Sequence, residues 1–154
     1  MRVTLQTPCE DPRTLAISWI SNRKSEDWAL ISGTSLASEI HAWTAYNVLQ
    51  RNQERSKMKS NSIDGEFIRL LSGTHHMATS FKRAGLQKGD TTAWLVDLSG
   101  SNTESEFLEH AGKMNFTLLD DRPHLDIFDA SRMGIVTNQN ENAAIAHIHL
   151  ADLR

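Results

Sequence analysis

Cysteine is nearly absent from this sequence, in which Cys9 is the single example among 154 residues. One cysteine cannot form an intrachain disulfide or a cysteine-rich zinc site, and it fits a reducing compartment. Long apolar runs are absent too, since no stretch approaches the roughly 18 residues that a membrane-spanning helix needs. The segment Met1–Leu5 lacks the apolar core of a signal peptide. We therefore expect a cytoplasmic protein that is not associated with a membrane.

The sequence also lacks an excess of charge of one sign, with 16 lysines and arginines against 19 aspartates and glutamates. The formal net charge of -3 excludes a strongly basic surface, so any contact with nucleic acid must be confined to a local patch. Hydrophobic residues make up 39% of the chain, which is ordinary for a globular protein. This length predicts one domain over residues 1–154 that needs no disulfide or metal for stability.

Hydrophobic periodicity and capping residues predict alternating strands and helices. Asp11 caps a first helix, although the same region also fits a strand over residues 14–20. A longer helix beginning near 34–35 places Leu36, Ile40 and Trp43 on one buried face. The order of elements predicts an α/β (α+β) class, as a single-domain sandwich in which helices cover a small mixed sheet of about four strands. The predicted strands are 2–7, 28–31, 92–98 and 116–119, and further helices begin near 62, 74, 103, 124 and 142.

The stretch from Ser62 to Gly85 is the most informative, because it predicts two short helices joined by a tight corner. Apolar residues of the first helix form one buried stripe, which leaves Arg69 on the opposite, solvent-facing side. Thr74 is the predicted cap of the second helix, and Gly85 is its predicted left-handed C-cap. The corner therefore places the start of a helix next to several polar side chains.

Those groups can bind phosphate without any catalytic residue. Unpaired backbone N–H groups at the start of the second helix favour anions. The Thr74 hydroxyl, the imidazoles of His75 and His76 in the predicted first turn, and Arg69 could join them. Met77 offers an apolar surface on which a base could stack. An ordinary helix corner with its caps explains the same residues, and physical chemistry alone favours that interpretation.

Motifs for catalysis are weak elsewhere in the chain. His147 and His149 fall on a predicted helix, where they lie about 200° apart and cannot share a metal ion. The aspartates of the Asp120–Asp129 region resemble a magnesium cluster, but no Gly-rich phosphate loop accompanies them. We predict no catalytic residue, no metal and no cofactor. A small metal- or acid/base-dependent enzyme using the Asp120–Asp129 region remains the alternative.

The run Ser-Ile-Asp-Gly-Glu-Phe-Ile-Arg-Leu-Leu-Ser-Gly-Thr at 62–74, followed by a helix ending Lys-Arg-Ala-Gly at 82–85, resembles the Cgi-type subunit of the archaeal and eukaryotic KEOPS complex. The total length and the order of elements fit the same family. This resemblance implies a non-catalytic accessory subunit that binds the Bud-type small kinase/ATPase, and through it the threonylcarbamoyl transferase. It also implies capture of the 3′ CCA end of the tRNA that receives threonylcarbamoyladenosine.

Family members usually carry an arginine, a glutamine and an isoleucine after the Gly-Thr, where this chain has His75, His76 and Met77. Exposed apolar positions on the last helix, Ile145 and Ile148, are the predicted kinase contacts. A protein-interaction module without RNA contact is a third possibility. The predicted tRNA contacts are Arg69, Thr74, His75, His76, Met77, Lys82 and Arg83, with Lys57 and Lys59 of a basic linker as outer phosphate contacts.

Overall fold

The computed structural model describes residues 1–101, 103–136 and 138–153, which contain one four-stranded sheet. The strand order is β2-β3-β1-β4, so β3 is internal, as its apolar sequence predicts, and β4 is an edge. The predicted class and strand number are confirmed. All three pairings are antiparallel, whereas a mixed sheet was predicted. The prediction missed this because side-chain patterns specify the buried faces and not the strand directions. The strands are β1 (Arg2–Thr4), β2 (Trp28–Ser32), β3 (Thr92–Asp97) and β4 (Thr117–Leu119).

The described residues contain six helices, and local caps set where several of them begin. The Asp11 side chain accepts hydrogen bonds from the N–H groups of Arg13 and Thr14, so the predicted helix is confirmed and the alternative strand over 14–20 is wrong. No helix in the described part of the chain is long and apolar enough to cross a membrane. The helices are α1 (Pro12–Asn22), α2 (Glu39–Glu54), α3 (Ile63–Ser72), α4 (Met77–Ala84), α5 (Glu104–Met114) and α6 (Glu141–His149).

The buried face of α2 differs from the prediction. The helix begins after a Ser38 cap, and Ile40 and Trp43 are exposed while His41 and Ala45 are buried. His41 points inward because its Nδ1 accepts a hydrogen bond from the N–H of Ala37 at 3.1 Å. Because His41 occupies the core side of the helix, Ile40 and Trp43 face outward.

The predicted helix over 124–132 is also wrong, since only a 3₁₀ turn at Leu125–Ile127 forms there. The N–H of Asp129 donates to the carbonyl of Thr34 at 2.9 Å, and this long-range bond replaces a helical one. The chain is thereby tied to the turn after β2 instead of continuing as a helix.

The two faces of the sheet pack against different helices. On one face, Ile31 and Trp94 join a core built with α2, α3 and α6. On the other, Trp28 and Leu95 join a core built with α1 and α5. Helix α3 is buried from Gly65 to Ser72, so the corner at its end has a fixed position.

Candidate functional site

The corner begins where α3 ends at Gly73, which has a left-handed backbone with φ 66° and ψ 30°. A Cβ atom at this position would lie 2.3 Å from Cδ2 of His147, so side-chain space and backbone both require glycine. The predicted left-handed cap at Gly85 is wrong, because Gly85 has φ -77°. Gly85 instead allows the chain to pass close to the carbonyl of Phe81. The left-handed residue thus sits inside the corner and not beyond α4.

Hydrogen bonds from the Ser72 hydroxyl and the Arg83 guanidinium hold the corner together. Ser72 Oγ donates to the carbonyl of Ile68 at 2.6 Å and lies 3.1 Å from the carbonyl of Ser80. Arg83 Nη1 donates to the carbonyl of Ser72 at 2.7 Å. Arg83 therefore ties α4 to the end of α3, a role that its position in the last turn of α4 did not predict.

Helix α4 starts two residues later than predicted, and its N-terminus has no side-chain cap. Thr74 is buried, and its Oγ1 accepts from the N–H of His76 at 3.2 Å, which forms a turn before the helix. His76 occupies the capping position, but its ring makes no capping hydrogen bond. The predicted Thr74 cap is therefore wrong. The first-turn N–H groups of Met77 and its successors are left to solvent or to a ligand.

His75 and His76 lie before the helix and not in its first turn. Both are exposed, and their ring centroids are 4.0 Å apart with an interplanar angle of 38°. Their predicted place in the first turn, where adjacent helical side chains would point apart, is wrong because His76 has an extended backbone instead of a helical one. Two neighbouring imidazoles thus border the uncapped helix start, and Met77 lies beside them, half-buried.

Arg69 is not a surface cation. Its side chain is 0% exposed, its Nε donates to Glu66 Oε1 at 2.6 Å, and its Nη1 donates to Asp152 Oδ1 at 2.8 Å. The predicted solvent-facing position is wrong, because neighbouring elements cover every side of α3. Burial by itself lowers the pKa of Arg69, but the hydrogen bonds and charge of Glu66, together with those of Asp152, outweigh it and raise that pKa.

Glu66 connects this buried pair to the basic linker. Its carboxylate accepts from the backbone N–H groups of Lys59 and Ser60 at 3.2 and 3.3 Å, and from Asn52 Nδ2 at 3.3 Å. The side chains of Lys57 and Lys59 remain exposed, although Lys59 Nζ lies 3.7 Å from Asp152 Oδ1. Sequence reasoning missed the role of Glu66, whose only signal is its spacing of three residues from an arginine on the same helix.

The two predicted kinase contacts on α6 differ in their exposure. Ile148 is 1% exposed and belongs to the core, so its predicted exposure is wrong. The reason is that α6 packs against both α2 and α3. Ile145 is half-buried.

The aspartates behind the enzyme alternative have structural partners. Asp121 binds Arg2 at 2.9 Å, and Asp129 Oδ1 accepts from the N–H of Arg132 at 3.0 Å. Asp126 Oδ2 lies 3.4 Å from His124 Nδ1. In the described ranges, no group of three or more histidine, cysteine, aspartate or glutamate side chains is placed to hold a metal ion.

A model of the family described as kinase binding protein CGI-121 matches residues 10–125. The chain belongs to the CGI-121 family. This match confirms the resemblance to a Cgi-type subunit and covers the sequence from the residue before Asp11 through the α3–α4 corner to β4. Helix α6, with Ile145 and Ile148, lies outside the part matched to CGI-121. No curated protein matches the chain.

Proposed function

We propose that this protein is a non-catalytic KEOPS subunit that binds the Bud-type small kinase/ATPase and docks the 3′ CCA end of tRNA. Through the kinase it would join the threonylcarbamoyl transferase in the cytoplasm. Membership of a family described as kinase binding carries the kinase part of this proposal. The uncapped start of α4, bordered by two exposed imidazoles, carries the RNA part.

The outer face of α1 is the kinase surface that we propose. Ile17 and Ile20 are three residues apart, so they share a face, and they are 59% and 56% exposed. Leu108 on the neighbouring α5 is exposed as well. These residues lie within the part of the chain matched to a kinase binding family, unlike Ile145. Exposed large apolar side chains on adjacent helices are typical of a surface that a partner covers.

Affinity for the kinase tests this surface. The double variant Ile17→Glu/Ile20→Glu should raise the Kd by about tenfold or more, because it places two charges in an apolar interface. Val136→Glu, at another exposed apolar position, is the matched control and should leave the Kd unchanged. Equal Kd values for both variants would show that the interface does not include this face of α1. Failure of the wild-type protein to bind the kinase would contradict the proposed function itself.

For RNA, we propose that the exposed residues among the predicted contacts touch the ligand and that the less exposed ones support them. His75, His76, Lys82, Lys57 and Lys59 are exposed and can reach phosphates or bases. Met77, which is half-buried, lies beside the imidazoles, and the remaining residues support the corner from within. They are Arg69, Thr74 and Arg83, all engaged in the hydrogen bonds described above.

Binding of tRNA with and without its CCA end tests the RNA part. We expect intact tRNA to bind about tenfold more tightly than truncated tRNA, and His75→Ala/His76→Ala to remove most of that difference. Lys88→Ala, a change at an exposed lysine beyond α4, is the control. Equal binding of the two tRNAs would contradict tail capture. Kinase binding without any RNA binding would identify a protein-interaction module instead.

A further inference from the structure

An open groove of about 590 Å³ lies beside the N-terminal half of α2. Strand β3 forms its base, and Leu119 at the end of β4 together with residues 120–123 forms its other side. The corner residues 72–77 do not line it. Its volume falls in the range of roughly 300–1,000 Å³ that ligand pockets occupy in general. The groove is thus a second concave surface, separate from the proposed RNA site.

Apolar and aromatic side chains form the interior of the groove. Trp94, Val96 and Leu98 lie at its base. Trp43 and Tyr46 form the α2 side, with ring centroids 5.6 Å apart in an edge-to-face arrangement. The Trp43 side chain is 57% exposed, so the indole face is available to a partner. Such a surface stabilises a bound apolar side chain, and aromatic faces also attract cations.

The charge around the groove is mainly negative. Glu39, Asp97, Asp120 and Asp121 line it together with the guanidinium of Arg122, and Asp121 is paired with Arg2 at 2.9 Å. Asp97 accepts from Ser99 and Ser101, which add no charge. This distribution repels the phosphates of a nucleic acid and favours a cationic partner.

An ion pair crosses the mouth of the groove. Arg122 Nη1 donates to Glu39 Oε1, which joins the segment after β4 to α2 across 83 positions of sequence. Both side chains are largely exposed, so the pair contributes little to stability and can be exchanged. An incoming arginine or lysine can therefore take the place of Arg122 at Glu39.

We propose that this groove binds a basic linear segment of a partner protein. A large apolar side chain of the segment occupies the base over Val96. A neighbouring arginine or lysine lies over Trp43 and pairs with Glu39 in place of Arg122. The assignment is independent of the kinase surface on α1 and of the RNA site, because neither Ile17, Ile20 nor the corner lines the groove.

Peptide titration of the protein tests the assignment. The probes are fluorescein-labelled peptides of about ten residues, one alternating arginine with leucine and one alternating glutamate with leucine. Fluorescence anisotropy should show the basic peptide binding about tenfold more tightly than the acidic one. Equal affinities would contradict the proposal.

Variants then locate the binding. Glu39→Lys and Trp43→Ala should each weaken binding of the basic peptide by about tenfold, whereas Arg122→Ala should leave it equal or tighter. Glu54→Lys reverses an exposed charge at the far end of α2, outside the groove, and is the matched control. Equal weakening by Glu39→Lys and Glu54→Lys would show non-specific attraction. Chemical-shift changes at His75 rather than Val96, or competition by a short single-stranded RNA, would also overturn the assignment.

Discussion

Gly73 shows how a single residue sets the geometry of the corner. Its φ of 66° favours glycine, and the ring of His147 occupies the space where a side chain would begin. Gly89 also has positive φ, at 92°, but nothing lies within 4 Å of a Cβ placed there. A side chain at Gly89 would therefore cause backbone strain alone, whereas a side chain at Gly73 would cause backbone strain and a steric conflict.

Gly73→Ala should destabilise the protein more than Gly89→Ala. Backbone strain alone predicts a loss of about 1 kcal/mol for Gly89→Ala, and the contact with His147 should increase the loss for Gly73→Ala to about 2 kcal/mol or more. Denaturant unfolding measures both values. Equal losses at the two positions would mean that His147 moves aside at no cost.

His41 predicts how stability changes with pH. Burial, and then the charge of His147, lower the pKa of His41 to about 4, and its Nε2 has no hydrogen-bond partner in the described residues. The unfolded chain has the ordinary histidine pKa of about 6.5, so it takes up a proton at higher pH than the folded chain. The stability contributed by neutral His41 is therefore complete above about pH 6.5 and is lost as the pH falls towards 4.

The His41→Asn variant tests this linkage. Asparagine can still accept from the N–H of Ala37, but it does not titrate. Between about pH 6.5 and 4, the free energy of unfolding should fall less steeply than in the wild type, by up to about 1.4 kcal/mol per pH unit. Parallel profiles for the two proteins would contradict the lowered pKa.

At the scale of elements, α3 depends on a buried ion pair. Glu66 and Arg69 are fully buried on the same helix, and Asp152 completes the set from the end of the chain. Arg69→Met should cost about 3–5 kcal/mol, because it leaves the Glu66 carboxylate buried without its cation. The double variant Glu66→Gln/Arg69→Met should recover part of that loss. Thermal or denaturant unfolding of both variants measures the difference, and equal stability of Arg69→Met and wild type would contradict the role of the pair.

The starts of α1 and α3 were more predictable than the buried faces of the helices. Asp11 and Ser62 cap α1 and α3 through bonds to residues two or three positions away, which local sequence encodes. The burial of Arg69 depends on Asp152, which is 83 residues away in sequence. Helical periodicity contains no information about such a partner, so it placed Arg69 in solvent. The position of the corner follows from local sequence and was predicted correctly. The contacts of Arg69 depend on a residue distant in sequence and were not predicted.

At the scale of the whole molecule, the proposed functions occupy separate surfaces. The α1 face carries Ile17 and Ile20, and the proposed RNA site lies at the end of α3, which packs on the opposite face of the sheet. Ile17→Glu/Ile20→Glu should therefore leave tRNA affinity within about twofold of the wild type. Binding of tRNA to both proteins measures this. A large loss of RNA affinity in the variant would show that the two surfaces are coupled.

The net charge of -3 restricts RNA binding to a small set of cations. Lys57, Lys59 and Lys82 are the exposed lysines assigned to the RNA, since Arg69 and Arg83 are bound within the fold. Three phosphate contacts on a single strand predict a slope of about -2 for log Kobs against log salt concentration. Lys82→Ala should reduce the magnitude of that slope by about 0.7, and Lys88→Ala should not change it. A wild-type slope of about -4 or steeper would require phosphate contacts beyond these three lysines, and would place the tRNA body, not only its end, on the protein.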